Sequence, residues 1–214
     1  MRFDVAVERL TSPAIWSGPL PEGPDVLMPQ FLDGRLRTRR LAEPPASARP
    51  AAVLVLIFPD SDGVARLVLT ERPSYDGLHS GEVSFPGGKA EPNDADAAAT
   101  AMREAEEEIG LDAAAAGVRV VGRLGTVWIP VSDFRISPVV AVAARRPVLT
   151  PSSDEVARVL EPAVAAFLPG APSEVVERTI GDWPLRYGGF RIDDLHVWGA
   201  TARILGQLGA VLAG

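Results

Sequence analysis

The pattern of hydrophobic and polar residues predicts a regular succession of strands and helices from about residue 51 onward. Residues 52–58 form a continuous apolar run, which is typical of a buried strand. The sequence Asp-Ser-Asp-Gly at 60–63 predicts a hairpin turn, and residues 65–70 then form the returning strand. Apolar and polar residues alternate over 82–85, which predicts a half-buried strand just before a Gly-Gly pair.

A helix is predicted next, because apolar residues recur at helical spacing in the segment that follows. The stripe consists of Ala98, Ala101, Met102, Ala105 and Ile109. Asn93 or Asp94 is predicted to cap the start of this helix, and Gly110 is predicted to end it.

The remaining pattern predicts further strands at 118–127 and 135–143 and a short helix at 163–168. A terminal helix is predicted at 199–212. Its inward-facing residues are Ala202, Leu205, Leu208 and Leu212. Strands and helices in this order predict an α/β (α+β) sandwich with a mixed β-sheet.

Composition restricts the class of protein further. The chain has 214 residues, of which 47% are hydrophobic and 23% charged, as expected of one globular domain. The absence of cysteine excludes disulfides, thiol nucleophiles and thiolate metal sites. Because there is neither an apolar run of membrane-spanning length nor a signal-peptide pattern, we expect a cytoplasmic protein with no membrane partner. The net charge of −7 argues against nucleic acid as a partner but permits a small phosphorylated ligand.

The first 50 residues differ from the rest. They are rich in proline and arginine and show poor periodicity, so we predict an N-terminal arm, partly irregular, at 1–50 and the main domain at 51–214. A basic run at Arg35, Arg37, Arg39 and Arg40 is most simply a solvated arm. Alternatively, it contacts a phosphorylated substrate or the second subunit of a homodimer.

The candidate chemistry lies on the predicted helix. Glu104, Glu107 and Glu108 are spaced i, i+3 and i+4, so their carboxylates lie on one face, where like charges repel. A bound Mg²⁺ or Mn²⁺ would make this arrangement favourable, because hard oxygen ligands suit these ions better than zinc. Arg103 is placed to anchor a carboxylate, and the Gly87-Gly88 turn allows the Gly88 carbonyl to complete the metal site. The alternative is that this glutamate-rich face is merely solvated.

The same residues resemble the signature of the Nudix hydrolases: a glycine, five residues, an acid, seven residues, then Arg-Glu-apolar-any-Glu-Glu-any-Gly-apolar. Residues 103–111 match the second half at every position, whereas eight residues separate Asp94 from Arg103. The resemblance implies the Nudix fold, an α/β/α sandwich with a mixed central sheet. It also implies catalytic roles for Arg103, Glu104, Glu107 and Glu108, and a metal site formed by these three glutamates and Gly88.

Further upstream, the chain resembles the coenzyme A diphosphatase (CoA pyrophosphatase) subgroup. The matching residues run from Leu69-Thr70-Glu71-Arg72-Pro73-Ser74 through Leu78-His79-Ser80-Gly81 to Phe85-Pro86-Gly87-Gly88. We therefore expect metal-dependent hydrolysis of coenzyme A or acyl-CoA to 3′,5′-ADP and (acyl-)4′-phosphopantetheine. Arg72, His79 and Lys89 are the expected substrate-binding residues, and Glu104, Glu108 or Glu155 is the expected general base.

Two alternatives to coenzyme A hydrolysis remain at this point. The first is hydrolysis of another nucleoside diphosphate derivative, such as ADP-ribose, NADH or a damaged nucleotide. The second is a nucleotide-binding Nudix module without catalytic activity. Retention of all three glutamates favours an enzyme.

Overall fold

A computed structural model describes residues 1–32, 44–73, 81–180 and 183–214. The strands are β1 (Gln30–Phe31), β2 (Arg49–Pro59), β3 (Ala65–Leu67), β4 (Leu69–Glu71), β5 (Val83–Ser84), β6 (Gly87–Lys89), β7 (Val118–Arg123), β8 (Val127–Ile129), β9 (Phe134–Ala143), β10 (Arg158–Leu160), β11 (Glu174–Ile180), β12 (Trp183–Ile192) and β13 (Leu195–Val197). The α-helices are α1 (Phe3–Thr11), α2 (Pro13–Trp16), α3 (Ala97–Ile109), α4 (Ala113–Ala116) and α5 (Gly199–Ala213), and short 3₁₀ helices lie at Asp25–Leu27 and Val164–Phe167.

The central sheet has the strand order β3-β2-β9-β7, with β6 also paired to β2 and β8 to β9. Strands β2 and β9 run parallel, whereas their other pairings in this sheet are antiparallel, so the sheet is mixed. Side chains alternate along β2: Leu54 and Leu56 pack with α3 in one core, and Val55 and Ile57 pack with α5 and α1 in the other. Helices therefore cover both faces, which confirms the predicted α/β/α sandwich.

Smaller sheets complete the domain. Strand β4 lies between β10 and β5, and β12 lies between β1 and β11 with β13 paired at its other end. The predicted strand at 65–70 is wrong in one respect, because the chain leaves the central sheet at Val68. Strand β3 pairs with β2, whereas β4 pairs with β10 and β5. The predicted strand at 118–127 is likewise interrupted after Arg123, and β8 begins only at Val127.

Helix α3 begins later than predicted. Its N-cap is Asp96, whose side chain accepts a hydrogen bond from the Ala99 N–H at 2.9 Å, so the prediction of Asn93 or Asp94 as the cap is wrong. Asp94 instead binds Arg103, as described below. The predicted end is confirmed, because Gly110 adopts a left-handed conformation with φ of 62°. Ala101, Ala105 and Ile109 are fully buried against the sheet.

The N-terminal residues contribute to the core. Ala6 and Leu10 of α1 are fully buried and belong to the same cluster as Leu67, Leu205 and Leu208. A domain boundary at residue 50 stays a prediction. The basic run at 35–40 lies outside the described residues. In the described ranges, no helix is both long enough and apolar enough to cross a membrane.

Candidate active site

The two glycines of the Gly87-Gly88 turn allow the backbone of β6 to lie directly against helix α3. Gly88 pairs with Ala52, which faces α3, and a β-carbon on Gly88 would lie 2.5 Å from Oε2 of Glu104. Gly87 has φ of 152°, and a β-carbon there would lie 2.4 Å from the Ala52 carbonyl oxygen. The Gly87 N–H donates a hydrogen bond to Oε2 of Glu108 at 3.1 Å. Backbone polar groups and helix carboxylates are thereby brought into contact.

A cavity of about 260 Å³ opens beside this turn. Its walls come from the end of β4, the glycine turn, helix α3 and the loop before β10. The lining residues are Arg72, Pro73, Gly87, Gly88, Glu104, Glu108, Asp154 and Glu155. Four carboxylates and one guanidinium therefore meet in a single concave site, although they come from well-separated parts of the sequence.

The environment of Glu104 and Glu108 disfavours their negative charge. Burial raises the pKa of Glu108 to about 7; the charges of Glu104 and Glu155 act in the same direction, while the Gly87 N–H and Arg72 oppose them. Burial also raises the pKa of Glu104, against the opposing effect of Arg103. Carboxylates held close together at this cost are suited to binding a cation, which would relieve both desolvation and mutual repulsion.

Arg103 connects the helix to the loop that precedes it. Its guanidinium lies 3.2 Å from Asp94, 2.9 Å from Glu104 and 3.1 Å from Glu107, and it donates a hydrogen bond to the Lys89 carbonyl at 3.1 Å. The hydrogen bonds from Arg103, together with that from the Glu91 N–H, lower the pKa of Asp94 to about 2. Asp94 is thus an ionised partner of Arg103, and Arg103 positions Glu104 at the cavity wall.

The structure brings together some of the predicted site residues and separates others. Glu104, Glu108, Gly88 and Arg72 line the cavity. The Glu107 side chain is 57% exposed and pairs with Arg103 instead of lining the cavity. Among the described residues, no three His, Cys, Asp or Glu side chains already form a metal-binding group. Metal binding by all three glutamates stays a prediction. It would require the Glu107 carboxylate to break its ion pair with Arg103.

Of the predicted substrate-binding residues Lys89 and His79, only Lys89 lies among the described residues. Lys89 pairs with Ala51, so its exposed side chain projects from the face of the sheet opposite to Gly88 and Glu104. Its carbonyl, rather than its ammonium group, contacts the site through Arg103. His79 lies outside the described residues, so its predicted substrate-binding role stays a prediction.

The loop that carries Asp154 and Glu155 is fixed at both ends. The Ser152 N–H donates to the Glu108 carbonyl at 2.8 Å, and the Ala157 N–H donates to the Glu71 carbonyl at 2.9 Å. Between them, Val156 is buried in the core beneath α3. Asp154 lines the cavity but was not selected from the sequence as a site residue. Only its position next to Glu155 could have indicated it.

A larger cavity of about 560 Å³ lies elsewhere, between the 3₁₀ helix at 25–27 and the β11–β12 hairpin. Its charged residues are Glu177 and Arg186, which pair with each other at 2.7 Å. Among its described lining residues, Glu177 is the only carboxylate and Arg186 neutralises it, whereas four carboxylates line the smaller cavity. The smaller cavity is therefore the candidate active site on chemical grounds.

The structure is thus an α/β protein in which a mixed sheet lies between helices and acidic residues of one helix face a double-glycine turn. The chain belongs to the NUDIX domain family, whose model matches residues 48–176. This membership confirms the Nudix resemblance found in the sequence.

Relatives from plants and bacteria are similar over most of the chain. Nudix hydrolase 22, chloroplastic, of Arabidopsis thaliana is 40% identical over 75% of this chain and 55% of its own length. Nudix hydrolase 15, mitochondrial, of the same species is 38% identical over 77% of this chain and 60% of its own length. The chain thus spans less than two thirds of these plant relatives. The uncharacterized Nudix hydrolase NudL of Escherichia coli K12 is 36% identical over 75% of this chain and 81% of its own length.

Among solved structures, a Nudix hydrolase from M. smegmatis, RenU, has a TM-score of 0.47 and 24% sequence identity. The superposition covers 56% of this chain and 73% of that structure.

Proposed function

We propose that the protein hydrolyses the diphosphate linkage of coenzyme A or acyl-CoA, giving 3′,5′-ADP and (acyl-)4′-phosphopantetheine. The cavity beside Gly87 and Gly88 is the observation that carries this proposal. It combines an arginine with carboxylates whose charge is disfavoured until a cation is present. The upstream residues 69–88, which resemble the coenzyme A diphosphatase signature, support coenzyme A as the substrate.

The donor set fits a hard divalent cation. Glu104 and Glu108 offer carboxylate oxygens inside the cavity, and the backbone of Gly88 runs against Glu104 without an intervening β-carbon. Glu104, Glu107, Glu108 and the Gly88 carbonyl would hold Mg²⁺ or Mn²⁺. The bound ion would supply charge neutralisation of the diphosphate and activation of water.

The residues of the chain have distinct proposed roles. Arg72 binds a phosphate of the substrate, because its planar guanidinium pairs with phosphate oxygens in a bidentate manner. Glu155 takes a proton from the attacking water, which forms a new P–O bond as the bridging P–O bond breaks. The other phosphate leaves with its substituent. Glu155 is preferred over Glu104 and Glu108 as the base because a carboxylate that binds a metal is a weaker base.

Two features of Glu155 support this role. Its loop is hydrogen-bonded to both Glu108 and Glu71, so Glu155 lies in the cavity without a rearrangement. Its charge also contributes to the raised pKa of Glu104 and Glu108, which indicates that the three carboxylates are close together.

Incubation of the protein and Mg²⁺ with coenzyme A, ADP-ribose and NADH in ¹⁸O-labelled water tests the function. We expect 3′,5′-ADP and 4′-phosphopantetheine by mass spectrometry, with ¹⁸O in only one product, and turnover lowered by about two to three orders of magnitude in Glu108→Gln. Intact coenzyme A together with cleaved ADP-ribose or NADH would establish the second candidate, a hydrolase of another nucleoside diphosphate derivative. If binding occurs without turnover of any compound, the protein is a non-catalytic module.

The cytoplasmic location and the homodimer stay predictions. Fractionation of the host cell and light scattering of the purified protein would test them.

A further inference from the structure

Val156 is the only buried side chain in the segment 151–157, which carries the proposed base Glu155. Its exposed fraction is 3%, whereas its neighbours on both sides are exposed. The links from this segment to Glu108 and Glu71 are hydrogen bonds between backbone atoms, which hold the chain without directing a side chain. The orientation of the residues between these two links therefore depends on where Val156 packs.

A tight turn makes the positions of Glu155 and Val156 depend on each other. The N–H groups of both residues donate to the carbonyl oxygen of Ser152, at 3.2 and 2.8 Å, respectively. From this turn the Val156 side chain enters the core, whereas Glu155 lines the cavity. A rotation of the turn that withdrew Val156 from the core would also move Glu155 relative to the cavity.

The core that receives Val156 also holds helix α3 against the central sheet. Ala105 and Ile109 belong to the same buried cluster as Val156. Each of them directly follows a carboxylate that lines the cavity, Glu104 or Glu108. Because protein interiors are closely packed, a change at one position of such a cluster is felt by its neighbours. The same packing thus sets the position of the loop with the proposed base and of the carboxylates proposed to bind the metal.

We propose that Val156 is a positioning residue for the general base, because it holds the Glu155 carboxylate at a fixed distance from the carboxylates of α3. This inference rests on the proposed function, in which Glu155 takes a proton from the attacking water. A general base must come within about 3 Å of the atom that gives up the proton, so a displacement of about 1 Å lowers the rate strongly. Since Val156 is buried, it acts through Glu155 and not by contact with the substrate.

Val156→Ala tests this role, with Val142→Ala as the matched control. Val142 is 5% exposed and lies in the other core, on the α5 side of the sheet. Each change removes the same two methyl groups from a buried site, so both should lower the melting temperature by similar amounts. Well below both melting temperatures, Val156→Ala should lower kcat for coenzyme A by about 10- to 100-fold with little change in KM. Val142→Ala should keep the kcat of the wild type.

Combination with Glu155→Gln shows whether Val156 acts through the base. If it does, Val156→Ala should cause no further loss of kcat in the Glu155→Gln background, because no base remains to be misplaced. Losses that multiply in the double variant would overturn the positioning role. A wild-type kcat in Val156→Ala, or an equal loss in Val142→Ala, would overturn it as well.

Hydrogen exchange of the metal-free protein provides a readout that does not depend on activity. The backbone amides of Ser152 and Ala157, which close the two ends of the segment, should exchange at least about tenfold faster in Val156→Ala but not in Val142→Ala. Unchanged exchange in Val156→Ala would overturn the anchoring of the segment even if coenzyme A is cleaved. If exchange becomes faster but the wild type cleaves no substrate, the proposed function fails and Val156 is left with a structural role alone.

Discussion

The backbone of Gly88 lies so close to the carboxylate of Glu104 that a β-carbon at position 88 would approach Oε2 to 2.5 Å. The atom that would have to move is the end of a flexible side chain, not backbone. Gly88→Ala should therefore change the melting temperature little, yet displace Glu104 from the cavity and lower kcat/KM at least about tenfold. Thermal denaturation and kinetics would be measured together. Gly18→Ala is the matched control, because its new β-carbon would meet nothing within 4 Å. Full activity of Gly88→Ala would contradict the role of this contact.

Arg103 joins Asp94, Glu104 and Glu107 in one charged network. Its removal should release Glu104 from its position at the cavity wall. For Arg103→Ala we expect a loss of about 10- to 100-fold in activity or metal affinity, as is typical when a residue that orients a metal ligand is lost. Arg103→Lys should recover only part of the lost activity or metal affinity, because a lysine ammonium lacks the planar guanidinium that binds several carboxylates at once. Arg146→Ala, which removes an exposed pair with Glu161, is the control. Equal Mg²⁺ titration curves for both alanine variants would be inconsistent with this role.

The raised pKa of Glu108 predicts how stability depends on pH in the absence of metal. Burial moves this pKa from 4.5 to about 7, so the folded state holds the proton over a range in which the unfolded state has lost it. The contribution of Glu108 to stability is thus present below pH 4.5 and is lost as pH rises to about 7. We expect the free energy of unfolding in EDTA to fall over this range, and to fall less in Glu108→Gln. Parallel curves for the two proteins would contradict the prediction.

Glu107 and Glu108 should respond differently to the removal of charge, although both are predicted metal ligands. Glu108→Gln changes a buried carboxylate in the cavity, whereas Glu107→Gln changes an exposed one that pairs with Arg103. Both changes should lower turnover by about two to three orders of magnitude if both residues bind the metal. Only Glu108→Gln should increase stability near neutral pH without metal. Mg²⁺-dependent activity and denaturation curves would separate the two effects, and normal turnover by Glu107→Gln would remove it from the metal site.

Glu155→Gln tests the proposed general base. The loss of a proton acceptor should lower kcat by about 10²- to 10⁴-fold, with little change in KM. Asp154→Asn, the adjacent change in the same cavity, is the control. A similar loss in both variants would indicate an electrostatic role for the loop instead of proton transfer.

The sequence alone determined the elements that depend on local signals. Apolar spacing predicted α3 and the terminal helix, and Gly110 ended α3 because it has no β-carbon to oppose a left-handed conformation. The motif at 103–111 also identified the family. The choice of Asp96 as the N-cap was not evident, because several suitable acidic and amide residues follow one another at 93–96. Asp94 is not the N-cap, because its carboxylate binds Arg103 instead.

Only the tertiary structure decided which side chains share the candidate active site. It placed Arg72, Glu108 and Glu155 around one cavity although about 35 to 85 positions separate them along the chain. It also turned Lys89 to the opposite face. Helical spacing places Glu104, Glu107 and Glu108 on one side of a helix, but burial and ion pairing determine which carboxylate enters the cavity. Burial and ion pairing arise only when distant segments pack together, so no local sequence pattern predicts them.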